Sequence, residues 1–163
     1  KKRQDCILVL NVIIECLIKW FAPILSFTTE EIFSLIYKNE ESIHLKKFVN
    51  IPKEWNNQKL GEKWTILKKI RDHCNISIEE KRAEKIIGSS LEARIKIKLK
   101  NKFFEIANDI NFAELCITSE AAVVKDEKIA NDIEVETFKA QGNKCSICWK
   151  IKQNKCERSN CPI

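Results

Sequence analysis

At Gly88-Ser89-Ser90 the apolar period of the chain changes, and with it the kind of structure that either side can form. Upstream, apolar side chains at Leu60, Trp64, Leu67, Ile70, Cys74, Ile78 and Ile86 follow one helical face, which predicts one long helix ending at Gly88. Ser77-x-x-Glu80 offers a restart after Asn75, but the stripe is unbroken and continuity is the expectation. Downstream, Leu91, Ala93, Ile95, Ile97 and Leu99 alternate with Glu92, Arg94, Lys96, Lys98 and Lys100, the pattern of a half-buried strand with a basic outer face. A short helix is expected over 101–109, and strands over 112–118, 121–124 and 133–138. The fold class is therefore mainly α with a small α+β unit.

The first part of the chain reads as helix. Residues 5–21 are apolar almost all round, with Gln4, Asn11, Glu15 and Lys19 on one stripe, so a buried helix with one wet edge is expected, ending near Ala22-Pro23. The polar stripe and the short run argue against a membrane span, and Glu15 against a secretory signal. A second helix should open with Thr28 as N-cap, Glu31 completing a capping box and Phe27 stapled to Ile32, and run to about Tyr37. Residues 39–57 are polar and irregular, a connection.

Four of the eight cysteines fall in the last nineteen residues, as Cys145-x2-Cys148 and Cys156-x4-Cys161. Four thiolates satisfy a tetrahedral Zn²⁺, and a two-residue gap lets one tight turn present two sulfurs to one ion. One structural zinc is the expectation, with unrelated thiol pairs or disulfides as the alternative. Cys6, Cys16, Cys74 and Cys116 lie inside apolar runs and read as small buried hydrophobes of a reducing compartment. The chain has no methionine, and is expected to begin inside a longer protein. Its net charge of +6 is a mild bias toward polyanions, concentrated from Lys139 onward.

Catalytic constellations are missing. His44 and His73 stand near no nucleophile pattern and read as surface or satisfied histidines; Trp20, Trp55 and Trp64 read as packing residues. Gly61, Gly88 and Gly142 are isolated, so no phosphate loop is present. The chain alone is expected to be inactive.

Three segments carry a resemblance. Phe21-Ala22-Pro23-Ile24-Leu25-Ser26-Phe27-Thr28-Thr29-Glu30-Glu31-Ile32, Lys85-Ile86-Ile87-Gly88-Ser89-Ser90-Leu91-Glu92-Ala93 and Lys144-Cys145-Ser146-Ile147-Cys148-Trp149-Lys150 together resemble the C-terminal part of bacterial-type isoleucyl-tRNA synthetases, class Ia enzymes. The first is similar to the anticodon-binding bundle that valyl and leucyl enzymes share; the last, a four-cysteine tail with a tryptophan after the second cysteine, is similar to the isoleucyl group. Two departures stand out: the family's second pair is usually Cys-x2-Cys after a longer spacer, and the ATP-binding signatures of class I enzymes are absent.

The resemblance implies three pieces: part of an anticodon-binding helical domain over 1–87, a small α+β junction domain over 88–143 and a zinc-binding tail over 144–163. It implies a cytoplasmic ATP-dependent ligase, monomeric at full length, that joins isoleucine to its tRNA and engages neither DNA nor membrane, with ATP confined to a catalytic domain outside this chain. Cys145, Cys148, Cys156 and Cys161 would hold the metal. Trp149 would stack on a base, with Lys144, Lys150, Lys152 and Arg158 on the phosphates, or would instead cover the zinc turn and pack it on the α+β unit. Arg94, Lys96 and Lys98 read as solvated. Two alternatives stand: the C-terminal region of a valyl or leucyl relative and, from another class, a zinc-dependent protein-interaction module that docks an acidic partner.

Overall fold

The computed structural model describes residues 2–153. The chain divides into two compact units, residues 1–56 and 57–163.

The first unit is helical. Helix α1 (Lys2–Phe21) stops before Pro23 as expected, and α2 (Ser26–Ile36) follows at once. Their shared core is small: Ile18, Ala22, Phe33 and Ile43, with Phe33 stacked against Tyr37 at 4.8 Å. Most of α1 is not buried. Ile7, Leu8, Val9, Leu10, Ile13 and Trp20 are exposed, and Cys6 with them, which corrects the expectation of a buried helix with a buried Cys6 and Trp20; Cys16, Cys74 and Cys116 are buried as expected. An apolar groove lined by Leu8, Val9, Val12, Leu17, Ile51 and Trp55 runs along this side.

The anticipated capping box is also absent. Helix α2 starts two residues before Thr28, its N-cap Leu25 has no side-chain cap, and Phe27 is 91% exposed, so no staple forms. Thr29 instead donates its hydroxyl back to Leu25 O at 2.9 Å, while Glu30 accepts from Ser42 Oγ (2.8 Å) and from the Ile43 amide (3.0 Å). The carboxylate serves the following 3-10 turn at 43–45 rather than its own helix.

The second unit is a two-layer structure. Helix α3 (Gln58–Ala83) is capped by Asn57, whose side chain accepts from Leu60 N at 3.0 Å. It runs unbroken through Asn75 and Ser77, as the stripe predicts. It ends at Ala83 rather than Gly88, because the reversal is made by Lys85 in the left-handed region (φ 59°). Ile86 N donates to Lys81 O and Lys85 N to Arg82 O, the paired bonds of a helix-terminating Schellman turn.

Strand β1 (Ala93–Leu99) is central, parallel to β2 (Glu120–Lys125) and antiparallel to β3 (Ile133–Lys139). Between β1 and β2 the chain crosses over through α4 (Asn101–Ala107) and α5 (Phe112–Leu115). Residues 112–118 are therefore not a strand: the Asn111 side chain accepts from Glu114 N and starts a short helical turn. The inward face of β1, Ala93, Ile95, Ile97 and Leu99, is fully buried with Leu67, Ile70 and Cys74 of α3 and Phe112. Ser77 and Thr137 share a hydroxyl hydrogen bond of 2.8 Å that pins α3 to β3. Leu67→Ala opens a cavity in this closed core and is expected to lower unfolding stability by about 2–5 kcal/mol, read from the midpoint of a denaturant titration; a loss under about 1 kcal/mol would contradict the packing.

Trp64 is 41% exposed, so only part of the tryptophan packing inferred from sequence is present. His44 and His73 are on the surface, as expected, with His73 Nδ1 2.9 Å from Lys69 O. Among the described residues no helix is long and apolar enough to cross a membrane.

Candidate nucleic-acid interface

After β3 the chain makes a two-stranded hairpin, β4 (Asn143–Lys144) paired antiparallel with β5 (Ile151–Lys152). The turn between them holds Cys145-x2-Cys148. Cys145 N donates to Lys150 O (3.0 Å), Trp149 N to Cys145 O (2.9 Å), and the Cys148 amide points at Cys145 Sγ (3.4 Å). That last contact aims an N–H dipole at the sulfur. Cys145 is buried and Cys148 half-buried, within one tight turn. Two bends make this possible. Gly142 has φ +129°, and a Cβ there would lie 2.2 Å from Lys152 O; Trp149 adopts φ 61°.

The positive φ turns Trp149 outward. The residue is 61% exposed, and its Nε1–H donates to Ser146 O at 3.2 Å, so the ring is held by one edge. Ile147 beside it is also exposed. Lys150 and Lys152 flank the turn and are half-buried. Lys144 faces a carboxylate: its Nζ lies 3.7 Å from Glu92 Oε1. Glu92 is itself fixed by the Gly88 amide (2.9 Å), and that hydrogen bond, with Lys144 and Lys139 nearby, holds its carboxyl below the usual range. Cys156, Cys161 and Arg158 lie outside the described residues; among the described residues no three metal-ligating side chains converge.

The outer face of the sheet is charge-balanced. Arg94 pairs with Glu120 (3.4 Å), and Lys98 with Glu136 (2.5 Å) and Glu134 (3.3 Å). Glu136 is drawn below, and Lys98 above, its ordinary pKa by this mutual contact. The basic row read along β1 is thus matched by acids on both neighbouring strands, which one-strand periodicity cannot show.

Sequence reasoning singled out the cysteines and Trp149 but missed Gly142, Glu92 and Ser119, whose Oγ accepts from Ile151 N at 2.6 Å. Gly142 carried a signal, an isolated glycine just before the first cysteine pair. Glu92 and Ser119 act through contacts distant in sequence and had none.

Residues 1–97 match the family model described as the anticodon-binding domain of tRNA ligase. The chain belongs to this family of tRNA-ligase anticodon-binding domains. Within it, the resemblance is to isoleucine–tRNA ligases: 55% identity over 157 residues to that of Pelagibacter ubique, covering 96% of this chain, and 39% over 159 residues to that of Agrobacterium fabrum, covering 92%. The isoleucine–tRNA ligase of Bartonella henselae is 36% identical over 163 residues, covering 94% of the chain. The chain spans only 16–17% of the length of these relatives.

Proposed function

We propose that this chain is the tRNA-binding end of an isoleucine–tRNA ligase, which holds the anticodon arm of the isoleucine acceptor while the rest of the enzyme uses ATP to attach the amino acid. The similarity to isoleucine–tRNA ligases along nearly the whole chain supports the assignment. In this reading residues 1–87 contribute to the anticodon-binding helical domain, 88–143 form the junction and 144–163 the contacting tail. The enzyme is cytoplasmic, monomeric at full length, and engages neither DNA nor membrane.

The tail carries one structural Zn²⁺ on Cys145, Cys148, Cys156 and Cys161. The described half of that donor set fits the ion, since two cysteines share one turn and an amide already faces one of the sulfurs. With four thiolates no coordination position is left for water or substrate, so the metal fixes the chain and performs no chemistry. Trp149 stacks on an unpaired loop base, and Lys144, Lys150, Lys152 and Arg158 face the backbone.

The observation that carries the recognition role is the exposed indole of Trp149, held by its Nε1–H and by a left-handed backbone. Trp149→Ala is expected to weaken tRNA binding by about 1–3 kcal/mol without loss of metal, measured by filter binding or calorimetry at fixed salt. Loss of metal or unfolding of the tail would make the tryptophan a packing residue. Unchanged affinity would move recognition to the helices, and preference for a generic acidic protein over tRNA would favour a protein-interaction module.

A further inference from the structure

We propose that Ser119 is a positioning residue: its hydroxyl clamps the cysteine hairpin to the end of the sheet and so sets where Trp149 stands for the tRNA. The inference rests on the tRNA-binding role of the hairpin. Ser119 lies just before β2, is 9% exposed, and its amide donates to Ala93 O at 3.1 Å, which continues the β1–β2 ladder. Its Oγ donates to Leu91 O (2.5 Å) and accepts from Ile151 N (2.6 Å). One atom therefore joins three backbone segments: the sheet end, the 3-10 turn at 90–92 and β5.

A hydroxyl suits the task because it is donor and acceptor at once. Ile151 is itself buried, so its amide has no water to turn to if the hydroxyl is removed. Among the described residues, the other polar link from hairpin strands to sheet unit is the Lys144–Glu92 pair, longer and on an exposed lysine. Exposed pairs of that kind hold weakly. Ile151 begins two residues after Trp149, so freedom at the clamp passes directly to the indole.

The test uses the full chain in three forms, Ser119→Ala, Ser119→Thr and Ser119→Ala with Trp149→Ala. Ser119→Ala should speed hydrogen exchange at the Ile151 amide by roughly tenfold, with metal content and core exchange at Ile97 unchanged. It should weaken tRNA binding by roughly three- to tenfold, while adding nothing in the Trp149→Ala background, because both changes act through one contact. Ser119→Thr, which keeps the hydroxyl, should restore both. Should Ser119→Ala unfold the unit, Ser119→Cys keeps the volume with only a weak donor and acceptor and carries the same comparison. Unchanged exchange at Ile151 would overturn the clamp. Faster exchange with full tRNA affinity, where Trp149→Ala alone still weakens binding, would overturn the positioning role and leave the tRNA reading intact. If Trp149→Ala alone changes nothing, the tRNA reading of the hairpin fails, and positioning with it; exchange at Ile151 then decides the clamp alone.

Discussion

Gly142→Ala is expected to lower the zinc affinity of the chain by well over tenfold while leaving the sheet core folded. The backbone at Gly142 has φ +129°, a region that L side chains rarely adopt, and the added methyl would sit 2.2 Å from Lys152 O. Backbone cannot retreat as a flexible side chain could. Lys152 is paired with Asn143, the residue after Gly142, so relief of the clash requires β4 and β5 to part. The turn that brings Cys145 and Cys148 together depends on that pairing. A local cost of about 3 kcal/mol or more is in the range of strained-glycine substitutions. Competition with a chromophoric chelator measures the affinity, and circular dichroism reports the core. An unaltered chelator titration would show that the hairpin is not what organises the metal.

The second large effect is at the metal itself. Purified chain should carry about one equivalent of zinc, and Cys145→Ser should reduce this to background. Of the two described cysteines of the proposed ligand set Cys145 is the more deeply set: its amide, carbonyl and sulfur each make a hydrogen bond within the turn. A serine there keeps the backbone bonds but withdraws the thiolate. Because each thiol must give up its proton to bind the ion, zinc content should also fall as the solution is acidified. Cys161→Ser distinguishes the ligand sets: loss of metal supports four thiolates, and full retention would place the fourth donor elsewhere. Metal retained in Cys145→Ser would remove the hairpin from the site altogether.

Sequence revealed the second unit best where one residue type repeats over a long span. The alternation over 91–100 located β1, and the stripe from Leu60 located α3 across two residues, Asn75 and Ser77, that invite a break. Short apolar runs were ambiguous in a way that composition cannot resolve. Phe112 and Cys116 are both buried, a spacing that serves one helical turn, yet seven residues of mixed apolar character read equally well as strand. The cap over 28–31 failed for a different reason: α2 already starts at Ser26, so Thr28 and Glu31 lie inside the helix and have no N-terminus to cap. For the candidate site, spacing singled out Cys145 and Cys148, which one tight turn brings together. The partners that hold the hairpin, Ser119 and Glu92, lie 32 and 52 residues from Ile151 and Lys144 and leave no local signature. Exposure of α1 was illegible because periodicity reports which face is apolar and not what covers it.

The hydroxyl pair between Ser77 and Thr137 spans 60 residues of sequence, and it has a consequence for synthesis. A chain made from its N-terminus exposes the apolar side of α3 well before β3 exists. At translation speeds of about 5–20 residues per second the wait is roughly 3–12 seconds, far longer than a helix needs to form. In that interval β1 can meet α3, but the sheet has only one edge filled. The Ser77 hydroxyl stays hydrated until β3 arrives, and only then does the last gap over the helix close. The nascent unit thus passes through a defined period in which a chaperone, or another nascent chain, can reach the surface that Val135 and Thr137 later cover.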